Sequence, residues 1–293
     1  MNLGKSELNV SPLAWGMWRF RGQDVRAARA CVEAALEAGI TFFDTADIYG
    51  PDNGEPFGAA EALLGRVLAE APSLRQRFVL ASKGGIAMGV PYDSSPAYLK
   101  SAVEASLRRM GIEQIDLYQI HRPDLLSHPA EVAETLDKLY EAGKIGAVGV
   151  SNHTPAQTAA LQHFLPFPLA STQIEFSPLV ITPIEDGTLD QAMELGLGVM
   201  AWSPLAQGRL GDGAKDMLVA DVCRALDEVA ARQGVSRPVA AYAWLLAHPA
   251  KPIPIVGSQQ PARIAEAAKA LTVKLDRVEW YKVLTAARGK PLP

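Results

Sequence analysis

The chain is poor in the features that mark several large classes of protein. It has two cysteines in 293 residues, Cys31 and Cys223, far apart and each within a helical pattern. That excludes a disulfide framework and a paired-cysteine metal site, and it reads as reduced, buried thiols in a cytoplasmic protein. No excess of positive charge exists, the formal net charge being −4. A nucleic-acid or anionic-membrane partner would need basic side chains to neutralise phosphates, so neither is expected. No run reaches the ~18 uninterrupted apolar residues of a membrane span. The start, "MNLGKSELNV", has no apolar core of a signal peptide. The five histidines, His121, His128, His153, His163 and His248, show no HxH or HExxH spacing, so no metal site is expected.

What is present is alternation. Short apolar runs that end in polar residues take turns with amphipathic stretches. The strands read as "TFFD", "RFVLASK", "IDLYQIH", "AVGVS", "STQIE", "GVMAWS" and "IPIVGS". Between them lie helical patterns over 25–37, 59–69, 96–110, 130–142, 189–195, 218–232, 239–246 and 263–270. Ser94 or Ser95 caps the helix that begins at Pro96, and Gly111 ends it. "TPAQ" at 154–157 has the form of a capping box. Strands separated by helices pair in parallel, and apolar residues on both faces fit a buried parallel sheet. Seven or eight such units, with no composition break, point to one (β/α)8 barrel (TIM barrel) domain over 1–293. The length suits it, at roughly 250 residues plus additions. An open doubly wound sheet is the alternative.

A barrel gathers the residues just beyond its strands at one mouth. Those positions hold Trp15–Trp18, Asp44 and Tyr49, Lys83, His121, Ser151 and Asn152, Gln173, Trp202 and Ser203, and Gly257 and Ser258. Singly, each has a plain structural reading: a solvated lysine, a loop-capping aspartate, a hydrogen-bonded histidine. Together, Asp44, Tyr49, Lys83 and His121 form a proton donor aimed at a carbonyl oxygen. A cation beside Tyr49 is expected to lower its pKa, and Asp44 to keep Lys83 charged. None of the four donates hydride, so a cofactor must. Asp47 could cap its loop or face the pocket, the cap being the preferred reading; Asp124 reads as fixing its own turn, and His153 as a local hydrogen-bonding group. "GLGVMA" at 196–201 precedes a strand where a dinucleotide fingerprint would open a helix, so it reads as a helix stop.

With those residues in view, the chain resembles the aldo-keto reductase family, in its bacterial NADPH-dependent oxidoreductase branch. The likeness rests on "LAWGMW", "FFDTADIYG", "LASKGG", "LYQIHRPD", "GAVGVSNHTPAQ", "TQIEFSPL", "VMAWSPLAQGRL" and "PIVGSQQPARIAEA", and covers almost the whole chain. The resemblance implies metal-free carbonyl reduction with NADPH, and NADH as the lesser cofactor. It implies Asp44, Tyr49, Lys83 and His121 as a catalytic tetrad. Ser151, Asn152 and Gln173 would hold the nicotinamide carboxamide, and Trp202 would stack on its ring where the family commonly has tyrosine. Ser203, Leu205, Gln207 and Gly208 would contact the pyrophosphate. Gly257, Ser258, Gln259 and Arg263 would form the adenosine 2′-phosphate site, with Gly16, Met17 and Trp18 also beside the cofactor. Here the chain departs from the family: glutamines stand near the motif's start and Ala267 at its end. Trp18, Phe20, Phe57 and Met88 would give the substrate pocket an apolar wall. A second reading is a nucleotide-sensing subunit with little turnover.

Overall fold

In the computed structural model, which describes residues 1–211 and 217–292, eight parallel strands close into a barrel in chain order, each paired with its neighbours. The strands are β1 (Ala14–Gly16), β2 (Phe42–Asp44), β3 (Val79–Gly84), β4 (Leu117–Ile120), β5 (Val148–Ser151), β6 (Ser171–Glu175), β7 (Gly198–Trp202) and β8 (Ile253–Val256). The helices are α1 (Val25–Glu37), α2 (Ala59–Glu70), α3 (Pro96–Met110), α4 (Pro129–Glu141), α5 (Pro155–Phe164), α6 (Thr182–Glu185), α7 (Thr188–Leu195), α8 (Met217–Gln233), α9 (Arg237–Leu246), α10 (Pro261–Ala267) and α11 (Arg277–Arg288). The doubly wound alternative is thereby set aside. No helix among the described residues is long and apolar enough to cross a membrane.

Strand alternation sorts the side chains. Ala14, Phe42, Ala81, Leu117, Met200, Ile253 and Ile255 meet inside the barrel, while Trp15, Phe43, Leu80, Tyr118, Val150 and Val199 face the helices. Period two then carries the next inward position of each strand to the mouth: Asp44 after Phe42, Lys83 after Ala81, Trp202 after Met200. The two core layers are thus also the device that aims the polar residues.

The other end of the barrel is closed by an N-terminal hairpin, with an antiparallel bridge between Asn2 and Asn9. Leu3 is fully buried there. Gly4, at φ +57°, runs so close to the strands that a Cβ would lie 2.4 Å from the carbonyl oxygen of Ala170. Only glycine fits that crossing.

Local signals decide the helix ends. Ser95 Oγ accepts from the Tyr98 N–H, and Gly111 ends α3 in the left-handed conformation. Thr154 and Gln157 make both bonds of the capping box on α5. Asp276 and Glu279 do the same on α11, a helix absent from the reading of the sequence above. The helix placed at 263–270 starts earlier, at Pro261, and passes into a 3-10 turn over Ala268–Leu271. Cys31 and Cys223 are both buried free thiols.

Candidate active site at the barrel mouth

Lys83 is fully buried at the mouth end of β3. Its ammonium donates to Asp44 Oδ1 at 2.7 Å, to Asp44 Oδ2 at 2.8 Å and to the Thr45 carbonyl at 2.8 Å. Gln173 Nε2, from β6, donates to the same Asp44 Oδ1 at 2.8 Å. The carboxylate is therefore fixed from across the barrel. Lys83 Nζ lies 5.0 Å from the centre of the Tyr49 ring. His121 stands edge-on to that ring, with centroids 6.0 Å apart. Four residues from three successive β-α units thus share one small volume.

Their charge states follow from burial. Burial alone would strip the proton from Lys83; the Asp44 carboxylate, helped by Tyr49, outweighs it and holds the ammonium above its ordinary range. Burial pushes the Tyr49 phenol up, Lys83 pulls it down and Asp44 pushes it up again, for a net rise. This corrects the expectation of a lowered value: the lysine limits the rise without reversing it. The phenol keeps its hydrogen throughout the neutral range. Burial, then Lys83, then Arg122 hold His121 well below its ordinary range. It is a neutral imidazole whose Nδ1 is buried without a partner.

Beside this group, Asn152 adopts φ +56°, a left-handed conformation that asparagine tolerates. Its Nδ2 donates to Ser151 Oγ at 2.7 Å, and its Oδ1 accepts from Trp202 Nε1 at 2.9 Å. Ser203, Ala206 and Gln207 also have positive φ. Strained non-glycine backbone is thus concentrated at the ends of β5 and β7, as is common where a ligand is gripped. At the start of α10, Trp15 Nε1 donates to the Ser258 carbonyl at 3.0 Å and Gln259 Nε2 to the Gly16 carbonyl at 2.9 Å. Arg263 is exposed.

The remaining candidates are held in different ways. Met17 is fully buried, its N–H donates to the Asp44 carbonyl and its own carbonyl accepts from Phe20. Both of its backbone polar groups are thus engaged. Gln259 spends its amide N–H on Gly16 and leaves Oε1 buried without a partner. Trp18 is 42 % exposed, with its indole N–H on Asp52. Phe20 belongs to the core, edge-on to Trp15. Phe57 and Met88 line a separate cavity of about 260 Å³, together with Asp47, Tyr98 and Arg109.

Asp47 is not a cap. It is 1 % exposed, and neither carboxyl oxygen has a hydrogen-bond partner. Burial, then the Glu61 charge, raise its pKa well above the usual carboxylate range. An acid that is neutral when folded and ionised when unfolded loses stability as pH climbs from its unfolded value towards its folded one. Asp47→Asn removes that loss. Its melting temperature is expected to exceed the parent's at neutral pH, with the difference shrinking towards pH ~4. Thermal melts across that range test it; an equal or lower melting temperature at neutral pH would contradict it. The other local readings fit the contacts: Asp124 accepts from Leu126 N, Ser127 Oγ and Ser94 N, and His153 Nδ1 lies 3.0 Å from the Ser151 carbonyl.

Two mouth residues escaped the sequence reading. Arg122, next to His121, places its guanidinium carbon 5.8 Å from the centre of the Trp202 ring. Glu175 ends β6 opposite Trp202 in the strand register. The signals were there, since Glu175 is two residues past the inward-facing Gln173 and Arg122 follows the strand that ends at His121.

Comparison with known proteins agrees with this geometry. Residues 12–286 match the Aldo/keto reductase family. The chain belongs to that family. It is 58% identical over 295 residues to a 6-dehydroglucose reductase of Novosphingobium aromaticivorans, covering 99% of this chain and 96% of the relative. A second 6-dehydroglucose reductase, from Agrobacterium fabrum, is 40% identical, covering 97% and 96%. The crystal structure of a thermostable aldo-keto reductase, solved with the inhibitor epalrestat, superposes with a TM-score of 0.83 at 22% identity over 98% of each chain. That likeness shows the barrel fold.

This aldo/keto reductase is therefore an oxidoreductase of a family that uses nicotinamide cofactors. The donor set at its mouth fits such a group. Gln173 donates its amide to Asp44 and keeps Oε1 open to a donor. Asn152 is held in one orientation by Trp202 and Ser151. Gly257 meets no atom within 4 Å of an added Cβ, so its backbone is approachable.

Proposed function

We propose that this aldo/keto reductase reduces the carbonyl group of a small aldehyde or ketone with NADPH, and that Tyr49 protonates the carbonyl oxygen. The observation that carries the reading is the buried Lys83–Asp44 pair, whose ammonium lies 5.0 Å from the centre of the Tyr49 ring, with neutral His121 edge-on to the same ring. When bound, the reduced nicotinamide supplies the hydride. Tyr49 holds the proton on its hydroxyl until the oxygen gains charge. The Lys83 ammonium then stabilises the phenolate left behind, and Asp44 keeps that ammonium charged. Neutral His121 orients the oxygen by a hydrogen bond. Ser151, Asn152 and Gln173 hold the carboxamide, with Trp202 packing on the ring. The backbone of Ser203–Gly208 takes the pyrophosphate, and Gly257, Ser258 and Arg263 the 2′-phosphate. The names of the two 6-dehydroglucose reductases make a sugar carrying an aldehyde at C6 the first substrate to try.

The test is steady-state NADPH oxidation with a panel of aldehydes that includes this sugar. Turnover is expected. Cofactor binding with no turnover on any member would overturn the reading and favour a sensor. The 2′-phosphate assignment has its own check. Arg263→Ala is expected to weaken NADPH binding about tenfold with little effect on NADH, because a guanidinium reads a phosphate through charged hydrogen bonds. Equal loss for both cofactors in a fluorescence titration would remove the assignment.

A further inference from the structure

Arg122 is a half-buried guanidinium that makes no hydrogen bond or ion pair with any described residue. Glu175 is a half-buried carboxylate in the same condition. The neighbouring charged and amide groups of the mouth are tied down: Lys83 on Asp44 and Thr45, Gln173 by its Nε2 on Asp44, Asn152 on Trp202 and Ser151. Arg122 lies over the Trp202 ring and Glu175 is the strand neighbour of Trp202; two half-buried opposite charges set beside one residue with no hydrogen bond or ion pair are an unusual expense unless something else uses them.

Their placement is set by the strands. Gln173 reaches inward to Asp44, so Glu175, two residues on, faces the same interior. Its strand neighbour is Trp202, and the Phe176 N–H donates to the Trp202 carbonyl at 3.3 Å. Arg122 leaves β4 directly after His121 and lies on Trp202 from the other side of the sequence. The charge of Arg122 is felt at Tyr49, His121 and Glu175 alike. Any substrate with its carbonyl near Tyr49 and His121 therefore has its next atoms within the field of Arg122, with Glu175 beside Trp202 on the same inward face of the strands.

We infer that Arg122 and Glu175 read the hydroxyl groups of a neutral polyhydroxylated aldehyde, and that Glu175 turns away phosphorylated or carboxylated ones. The inference rests on the reductase reading above and adds its specificity. A guanidinium donates a fork of N–H bonds to hydroxyl oxygens, and a carboxylate accepts from their hydrogens. Neighbouring hydroxyls satisfy both at once with no net charge. An anionic group would gain from Arg122 but meet the Glu175 carboxylate in the same small mouth, a repulsive element of the kind that sets specificity.

The experiment compares kcat and KM of the parent, Arg122→Gln and Glu175→Gln on three substrates: a hexose with an aldehyde at C6, butanal, and glyceraldehyde 3-phosphate. The parent is expected to prefer the sugar. Arg122→Gln is expected to lower kcat/KM on the sugar about 10–100-fold, chiefly through KM, and on butanal by at least about fivefold less than on the sugar, the butanal loss measuring its effect on Tyr49, His121 and Trp202. Glu175→Gln is expected to lower it about tenfold on the sugar and raise it about tenfold on the phosphorylated aldehyde. Thermal melts should stay within a few degrees of the parent's, since neither side chain has a hydrogen bond or ion pair to lose and Arg122 gives up only its contact with the Trp202 ring. Equal proportional losses on all three substrates, or a parent that prefers the phosphorylated aldehyde, would overturn the inference while the reductase reading stands. No parent turnover on any of the three, butanal included, would remove both.

Discussion

Tyr49→Phe is expected to lower kcat for carbonyl reduction about 10²–10⁴-fold, the usual contribution of a positioned general acid. The ring survives the change, so its edge contact with His121 and its proximity to Lys83 are kept. Only the O–H is lost. Affinity for NADPH should stay within about twofold, because the residues assigned to the cofactor lie on β5, β6, β7 and the start of α10. Melting temperature should hardly move, as Lys83 keeps its bonds to Asp44 and the Thr45 carbonyl when the phenol O–H is lost. This pattern separates a proton donor from a packing residue. Stopped-flow turnover and a binding titration on the same preparation measure both halves. A kcat within about threefold of the parent's would remove Tyr49 from the chemistry.

Asp44→Ala is expected to do most damage to the fold. The carboxylate is buried and anchors a fully buried ammonium through two hydrogen bonds. Removing one partner of a buried ion pair leaves the other charge uncompensated and commonly costs about 3–5 kcal/mol. For Lys83 the escape is to give up its proton, since burial then acts with nothing to oppose it but Tyr49. Activity should fall as well, because a neutral amine cannot stabilise a phenolate. The linkage has a definite sign. The ammonium is held above its ordinary value of 10.5, so the pair's contribution is complete below that pH and fades as pH rises through the higher folded value. Denaturant titrations of parent and variant should therefore differ most at neutral pH and converge in strong alkali. A variant as stable as the parent at pH ~7 would mean the pair is not what holds the mouth together.

Much of this was legible in the sequence because barrels are periodic. A strand of type "FFD" followed by a loop tells which carboxylate leaves at the mouth, and Lys83 and His121 follow by the same rule. Helix ends were legible where a cap is chemical, as at Ser95 and Thr154. Asp276–Glu279 carried the same signal ahead of α11, in a stretch for which no element was read from the sequence.

What was not legible depends on burial or on distant neighbours. The Tyr49 phenol was expected to become more acidic because Lys83 is near; how deeply the ring is enclosed is not written in the sequence, and burial wins. Asp47 has the composition of a loop cap, yet the fold turns it inward onto a cavity with Tyr98 and Arg109, fifty and more residues away. Met17 and Phe20 follow a strand as mouth residues should, but the chain turns them into the core. Arg122 follows β4 and Glu175 ends β6, and both are brought beside Trp202 of β7 only by the closed barrel.

The central claim is that hydride from the cofactor and a proton from Tyr49 meet on one carbonyl. A single-turnover reaction with NADPH deuterated at the nicotinamide C4, each diastereomer in turn, tests it most directly when parent and Tyr49→Phe are run side by side. The account predicts that one diastereomer delivers deuterium to the former carbonyl carbon of the alcohol in the parent, and that the variant binds the same cofactor but forms that product at least about 100-fold more slowly. Product without deuterium from either diastereomer, or deuterated alcohol formed equally fast by the variant, would contradict it.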